Sequence, residues 1–290
     1  MFDVKQYICY PGHTERANED AVGYGKDYCF VMDGASCLSG TNVVDPKSDA
    51  AWMAGKVRDG LCQLLDAGDP RPTDELLRQV MAQVREEYVQ ALRAKGVDAP
   101  EDSPSAGFAL FRQRNGKLEF FGLGDCVGIA QFADGRVFCW QDNSLAALDH
   151  QVTEEMVRLH KSTGISVREA KEVCGDLLIR NRNLRNQPGG YWILDLLTDD
   201  GIDNACEAAW DLTQSVRVGA FSDGFAQLAE VFGQYSDCAA LFEGVQQGDL
   251  NEMFRQLCAM QDADPEYNEH PRFKHRDDTS ALWGVFHPEE

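Results

Sequence analysis

The stretch from residue 107 to residue 140 constrains the fold most. It holds four apolar runs, GFALFRQR, KLEFFGLG, VGIAQF and RVFCW, with Asn115–Gly116 after the first and Asp134–Gly135 after the third. Asn-Gly and Asp-Gly close tight hairpins, because both central residues of such a turn need positive φ. Runs this closely spaced leave no room for crossover helices, so they predict an antiparallel meander. The pattern recurs near the N-terminus, where AVGYG, opened by Asp20, and YCFVM, closed by Asp33–Gly34, flank a Lys26–Asp27 turn. Further strands are read from YWILDLL (191–197), VRVGAF (216–221) and the final SALWGVF (280–286).

Between these groups the apolar spacing becomes helical. Pro46 suits a first helical position, and Trp52, Met53, Val57, Leu61, Leu64 and Leu65 follow on one face until Gly68. Thr73–Asp74 starts a longer helix carrying Leu77, Val80, Met81, Val84, Tyr88 and Leu92, ended by Gly96. A polar loop covers 97–106. Residues 153–181 read as helix, with a capping box at Ser166–Glu169, and an Arg/Asn-rich loop follows at 180–190. Two helical stretches fill 225–262. Antiparallel strand groups with helices between them predict an α+β fold, two sheets flanked by helices. A chain of 290 residues could make two domains by length alone, but it contains no linker, repeat or low-complexity tract. The expectation is one unit spanning 1–290.

The net charge of −21 disfavours nucleic acid and anionic membrane surfaces as partners. The ten cysteines form no C-x-x-C pair, and several sit in apolar runs (Cys29, Cys139), where a free cysteine packs as a small hydrophobe. MFDVKQYICY lacks the charge and apolar pattern of a signal peptide, and no apolar run approaches membrane-spanning length. The expected location is a reducing cytoplasm.

The aspartates carry the functional information. Asp20 precedes one strand and Asp33 ends its hairpin partner, so both belong at the same sheet edge. Asp223 ends VRVGAF, Asp277–Asp278 precede the last strand, and Asp125 interrupts two apolar runs, an awkward place for a charge. Taken singly, each is an ordinary turn residue. Together at one rim they would repel one another and raise each other's pKa unless a cation stood among them. Oxygen ligands without His or Cys favour Mg²⁺ or Mn²⁺ over zinc. Two such ions can activate a water and clamp phosphoryl oxygens.

The ordered set R-A-N-E-D (16–20), V-M-D-G (31–34), G-D (124–125), S-D-G (222–224) and D-D-T-S (277–280) resembles the metal-dependent protein phosphatases of type 2C, the PPM family. GGYWILDL (189–196) followed by VGAFSDGF is similar to compact bacterial members. The resemblance implies a four-layer αββα sandwich and a serine/threonine phosphatase that cleaves phosphoesters of phosphorylated proteins with metal-activated water and no phosphoenzyme. It implies that Asp33 bridges two metals, with the Gly34 carbonyl, Asp20 and Glu19 on one side and Asp223 and Asp277 on the other. Asp125 with Asp223 would match the pair holding a third ion. Asp33 and Asp223 are thus the expected catalytic residues, Mn²⁺ or Mg²⁺ the cofactor, and Arg16 the phosphate-binding residue.

The sequence departs from the family pattern at two points. The phosphate-binding arginine usually lies about five residues before the first-motif aspartate, whereas Arg16 lies four before Asp20 and Glu15 occupies the usual place. Lys274 and Arg276 are alternative cations. Ala35 and Ser36 stand where many members carry a general-acid histidine; His13 and His275 flank the site segments. A Ser36–His150–Asp223 triad has no G-x-S-x-G elbow to support it, and no Walker motif is present. The competing readings are a catalytically silent relative that binds metal or phosphoprotein as a regulator, and an acidic structural protein whose aspartates only make turns.

Overall fold

The computed structural model describes residues 1–38, 40–97 and 102–289; part of the loop expected at 97–106 lies outside the described residues. The strands form two antiparallel sheets. The first runs β1 (Phe2–Tyr10), β11 (Thr279–Phe286), β10 (Val216–Phe221), β6 (Val127–Gln131), β7 (Val137–Trp140). The second runs β2 (Asp20–Tyr24), β3 (Tyr28–Ala35), β4 (Ser105–Arg114), β5 (Lys117–Leu123), β9 (Cys206–Asp211), with the two-residue β8 (Leu194–Asp195) beside β4.

Strand alternation sorts the side chains between layers. Along β3, Cys29 and Val31 face the first sheet and meet Phe111, Phe120, Val218 and Leu282. Phe30 and Met32 point the other way, onto Met53, Val57 and Leu61 of α1 (Asp49–Asp66) and Leu77 and Val80 of α2 (Thr73–Ala94). Outside the first sheet lie α7 (Asp223–Glu230), α8 (Cys238–Gln247) and α9 (Leu250–Ala263), which pack Phe225, Phe242 and Leu257 against Ile8, Ile129 and Phe221. The αββα sandwich is therefore present. A separate helical group, α3 (Asn143–Thr163), α4 (Val167–Val173) and α5 (Gly175–Arg182), closes around its own small core of Val152, Met156, Val167, Ala170 and Tyr267. The short α6 (Asp200–Asp203) follows β8.

Several expectations need correction. The meander over 107–140 is split: β4 pairs with β5 in one sheet, β6 with β7 in the other, and the chain crosses between them at Gly124–Cys126. Both runs are buried on both faces, so neither alternation nor length shows which sheet receives them. The first helix starts at Asp49, not Pro46. Ser48 caps it through Ala51 N (3.0 Å), while the Asp49 carboxylate accepts from Val43 N (2.5 Å), Val44 N (2.7 Å) and Asp45 N (2.9 Å) and holds 43–45 as a loop. Helix begins at Asn143 rather than 153, because Asp142 caps it, although the Ser166–Glu169 capping box forms as expected. YWILDLL supplies only β8, the region 225–262 holds three helices, and β9 was not anticipated: its sequence CEAAWD is a weak alternation at a sheet edge.

Candidate active site

The sheets stack so that the aspartate-bearing strand ends meet at one end. Asp20 and Asp33 stand directly opposite each other in the β2–β3 register. β10 leaves the other sheet through Ser222, making Asp223 the first residue of α7, where the amide ends of the helix favour a carboxylate. β11 enters after Asp277–Asp278. Ser222 and Ser280 clamp these two strand ends: Ser222 N donates to Ser280 O (2.9 Å) and Ser280 N to Ser222 Oγ (2.9 Å). Ser280 Oγ donates to Asp20 Oδ2 (2.7 Å), tying one sheet to the other. Asp125 comes from the crossover between sheets, which explains a charge between two apolar runs.

Backbone approach fixes two of the motif glycines. A Cβ on Gly34 would lie 2.4 Å from Glu19 O, and one on Gly224 would lie 2.0 Å from Asp278 O. Only glycine lets these segments close around the carboxylates. Asp278 has a different part: its two oxygens accept from Gly12 N and Glu19 N, both at 2.7 Å, and so hold the first-motif loop in place.

One cavity of about 290 Å³ is lined by Asp33, Gly34, Asp125, Asp223 and Asp277 together. Asp20 sits behind it against Ser280. Arg16 is exposed, its side chain without a partner among the described residues, and lies in an adjoining cavity of about 270 Å³ with Glu19, Arg182 and Lys274. Glu19 accepts from Ser48 Oγ (2.6 Å) and from Ser36 Oγ.

The electrostatics are those of crowded carboxylates. Burial, then the charges of Asp223, Asp20 and Asp125, push Asp33 well above the carboxylate range. Burial and Asp277 push Asp223 up to about 8; burial and Asp149 push Asp125 up to about 7. Burial also raises Asp20 well above its ordinary value, against the hydrogen bond from Ser280. Lys274 Nζ, 2.6 Å from Asp277 Oδ1, is a local counter-charge. Partial withdrawal from water opposes its charge, but Asp277, Asp223 and Asp33 outweigh this and hold its pKa above the usual lysine range.

The segment that delivers Lys274 and Asp277 is anchored by buried Arg272. Its guanidinium donates to Asp264 Oδ2 (3.0 Å), Gln261 O (2.9 Å) and Asp264 O (2.6 Å), and lies 4.4 Å from the Tyr267 ring centre.

Some cavity residues were not anticipated. Asp149 on α3 lines the carboxylate cavity, raised to about 7 by burial and by Asp223; Lys171, Arg182 and Tyr191 line it too. Nothing in the periodicity of ALDHQV marks Asp149. At the start of the Arg/Asn-rich stretch, Arg182 reaches the site, donating to Ser36 O (3.0 Å) and Ser105 Oγ (3.3 Å). Arg185 turns away to Asp102 and Asp195. Among the histidines considered, His275 pairs with Asp262 (3.0 Å) and His150 with Glu154 (3.6 Å), so the serine triad does not assemble; His13 borders the cavity with Arg16 and its outer neighbour. Arg276 also pairs with Asp262 (2.5 Å).

Among the described residues, no three His, Cys, Asp or Glu side chains converge closely enough to hold a metal ion as they stand. The donor chemistry nevertheless fits a hard divalent cation. Among the described residues Asp33 Oδ2 and Asp20 Oδ1 are buried with no hydrogen-bond partner, Asp33 and Asp223 line one cavity, and the donors are oxygens throughout.

This is the fold of the PPM-type serine/threonine phosphatases. PppA, a key regulatory component of T6SS in Pseudomonas aeruginosa, superposes with a TM-score of 0.53 at 13% identity, over 98% of this chain and 96% of that one. The Mycobacterium tuberculosis serine/threonine phosphatase PstP gives 0.53 at 13% identity, over 99% and 100%. The PstP catalytic domain in complex with two manganese ions gives 0.53 at 13%, over 98% of each chain. No family model and no curated protein matches the sequence.

Proposed function

We propose that the chain is a metal-dependent serine/threonine protein phosphatase, formed by one unit spanning residues 1–290. The observation that carries this reading is the convergence of Asp33, Asp125, Asp223 and Asp277, from separate chain segments, on one cavity beside two buried, unpartnered carboxylate oxygens. Asp33 and Asp223 are the catalytic carboxylates, and with Asp20, the Gly34 carbonyl, Asp125 and Asp277 they would hold Mn²⁺ or Mg²⁺. Two divalent ions there would supply a water of lowered pKa and neutralise charge on the phosphoryl oxygens. The residues of the chain do the remainder. Arg16, unpaired at the rim, takes the substrate phosphate, and Lys274 adds a second positive charge next to it. Asp278 holds the Gly12 and Glu19 amides so that the loop carrying Arg16 keeps its distance from the carboxylates. The cysteines, all free among the described residues, support a reducing compartment, the cytoplasm. No helix among the described residues is long and apolar enough to cross a membrane. The net charge of −21 supports a phosphoprotein substrate over nucleic acid.

The test is hydrolysis of p-nitrophenyl phosphate and of a phosphothreonine peptide with Mn²⁺, Mg²⁺ or EDTA. The expected result is metal-dependent turnover that falls roughly 100-fold or more in Asp33→Asn and in Asp223→Asn. The Lys274–Asp277 contact favours one second reading, a catalytically silent regulator that binds metal or phosphoprotein. Metal-dependent stabilisation without turnover would select it.

A further inference from the structure

The cavity that holds Arg16 has a charge balance opposite to that of the whole chain. Five basic residues line it, Arg16, Lys47, Arg182, Lys274 and Arg276, against three acidic ones, Glu19, Asp277 and Asp278. In a protein with 27 basic and 48 acidic residues such a concentration is unexpected.

The acids there are spent and some of the cations are not. Asp278 accepts from two backbone amides, Glu19 from two serine hydroxyls, and Asp277 from Lys274 and from Asp278 N (3.0 Å). Arg276 is paired with Asp262, and Arg182 is held by Ser36 and Ser105. Arg16 and Lys47 remain: neither side chain has a hydrogen-bond or ion-pair partner among the described residues. One phosphate between Arg16 and the carboxylate cavity engages the first of them. Lys47, on the loop before α1, is left for something else.

The two cavities share Ala35, Arg182, Lys274 and Asp277 as a common wall. A substrate chain whose phosphate reaches the carboxylate cavity therefore has the basic cavity next to it.

We propose that this second cavity binds a second anionic group of the substrate, so that the protein prefers phosphorylated segments carrying another phosphoryl or carboxylate group close to the phosphate that is removed. This rests on the phosphatase reading and adds a substrate class to it. The overall charge of the protein works against anionic peptides at long range, so a preference for them has to come from local contacts.

The experiment compares kcat/KM for a singly phosphorylated threonine peptide with neutral flanks and for versions bearing Glu or phosphoserine at each of the three positions on either side. Wild type, Lys47→Gln and Lys47→Glu are assayed. The ratio of anionic-flank to neutral-flank values is the readout, so a general loss of activity does not imitate the effect. Wild type is expected to favour at least one anionic position by about tenfold, the scale of one charge-assisted contact. That ratio should shrink in Lys47→Gln, invert in Lys47→Glu and weaken with added salt. A response to both Glu and phosphoserine assigns a general anion site, and a response to phosphoserine alone assigns a phosphate site. Equal rates for all peptides in wild type, or a preference that survives both substitutions, overturns the proposal. If there is no turnover at all, the phosphatase reading fails and fluorescence anisotropy of the same labelled peptides reads the cavity. Tighter binding of doubly anionic peptides, lost in Lys47→Glu, then supports it, and equal binding overturns it.

Discussion

Replacing Asp33 by Asn should reverse the order of stabilities between metal-free and metal-loaded protein. Asp33 Oδ2 is buried without a partner among the described residues, and burial together with neighbouring carboxylates already pushes the side chain toward its neutral form. In the metal-free protein an amide of the same shape replaces a side chain already disfavoured as a charge among its carboxylate neighbours, so Asp33→Asn should be at least as stable as wild type. In the loaded protein it would remove a carboxylate that is proposed to hold the ions. A cation that binds only the folded state adds about 2.7 kcal/mol at a hundred times its dissociation constant. At about 2.1 cal/mol/K per residue, a 290-residue chain has an unfolding entropy of about 0.6 kcal/mol/K, so this increment corresponds to about 4–5 °C in Tm. Differential scanning fluorimetry with Mn²⁺, Mg²⁺ or EDTA reads the difference directly. Wild type should gain that shift and Asp33→Asn should not. Asp278→Asn is the internal contrast: both its oxygens accept from backbone amides, so its loss should lower Tm by a similar amount with metal and without it. A wild-type Tm indifferent to divalent cations, or an Asp33→Asn shift equal to that of wild type, would refute the reasoning.

Two other expectations concern the supports of the site. Arg185 is nearly buried and bonds Asp195 (2.9 Å) and Asp102 (2.8 Å), so Arg185→Met should strand a buried carboxylate and cost about 3–5 kcal/mol in urea unfolding, most of which Arg185→Met combined with Asp195→Asn should restore. Asp264 gives a pH signature: burial alone would raise its pKa, but the His270 amide and Arg272 outweigh burial and hold it below the usual value. A depressed folded pKa gives stability that is complete above the unfolded value near 4 and lost as pH falls through the folded one. The stability gap between wild type and Asp264→Asn, on the order of 3 kcal/mol, should therefore be constant from pH 5 to 8 and close below pH 4.

The sequence discloses the parts of the site that depend on short-range geometry. A hairpin turning at Lys26–Asp27 must set Asp20 against Asp33, because each lies the same distance along its strand from the turn, and the register bears this out. Asp223 and Asp277 are legible for the same reason: each sits where an apolar run stops or starts. Asp125 could be singled out as a misplaced charge, but the sheet crossing that accommodates it could not. GLGDCVG reads equally well as a hairpin and as a passage between stacked sheets, and only packing decides. The positions of Asp149, Lys171 and Arg182 were illegible because α3–α5 packs around its own core, and where that group meets the strand ends is not written in its helical period.

The least legible feature is how the site's charge is balanced. Four crowded carboxylates in a folded protein need positive charge within a few ångströms, and a chain with an acidic excess has little to spare. Lys274 supplies it, three residues before the aspartate it pairs with, and both depend on the Arg272 anchor to hold the 264–278 segment against the strand ends. The same segment lines the carboxylate cavity through Phe273, Lys274 and Asp277 and the basic cavity through Lys274, Arg276, Asp277 and Asp278. One irregular stretch with a buried arginine at its centre thus sets both the acidic and the basic half of the site. An irregular stretch carries no hydrophobic period, so its geometry comes from hydrogen bonds that sequence spacing does not reveal.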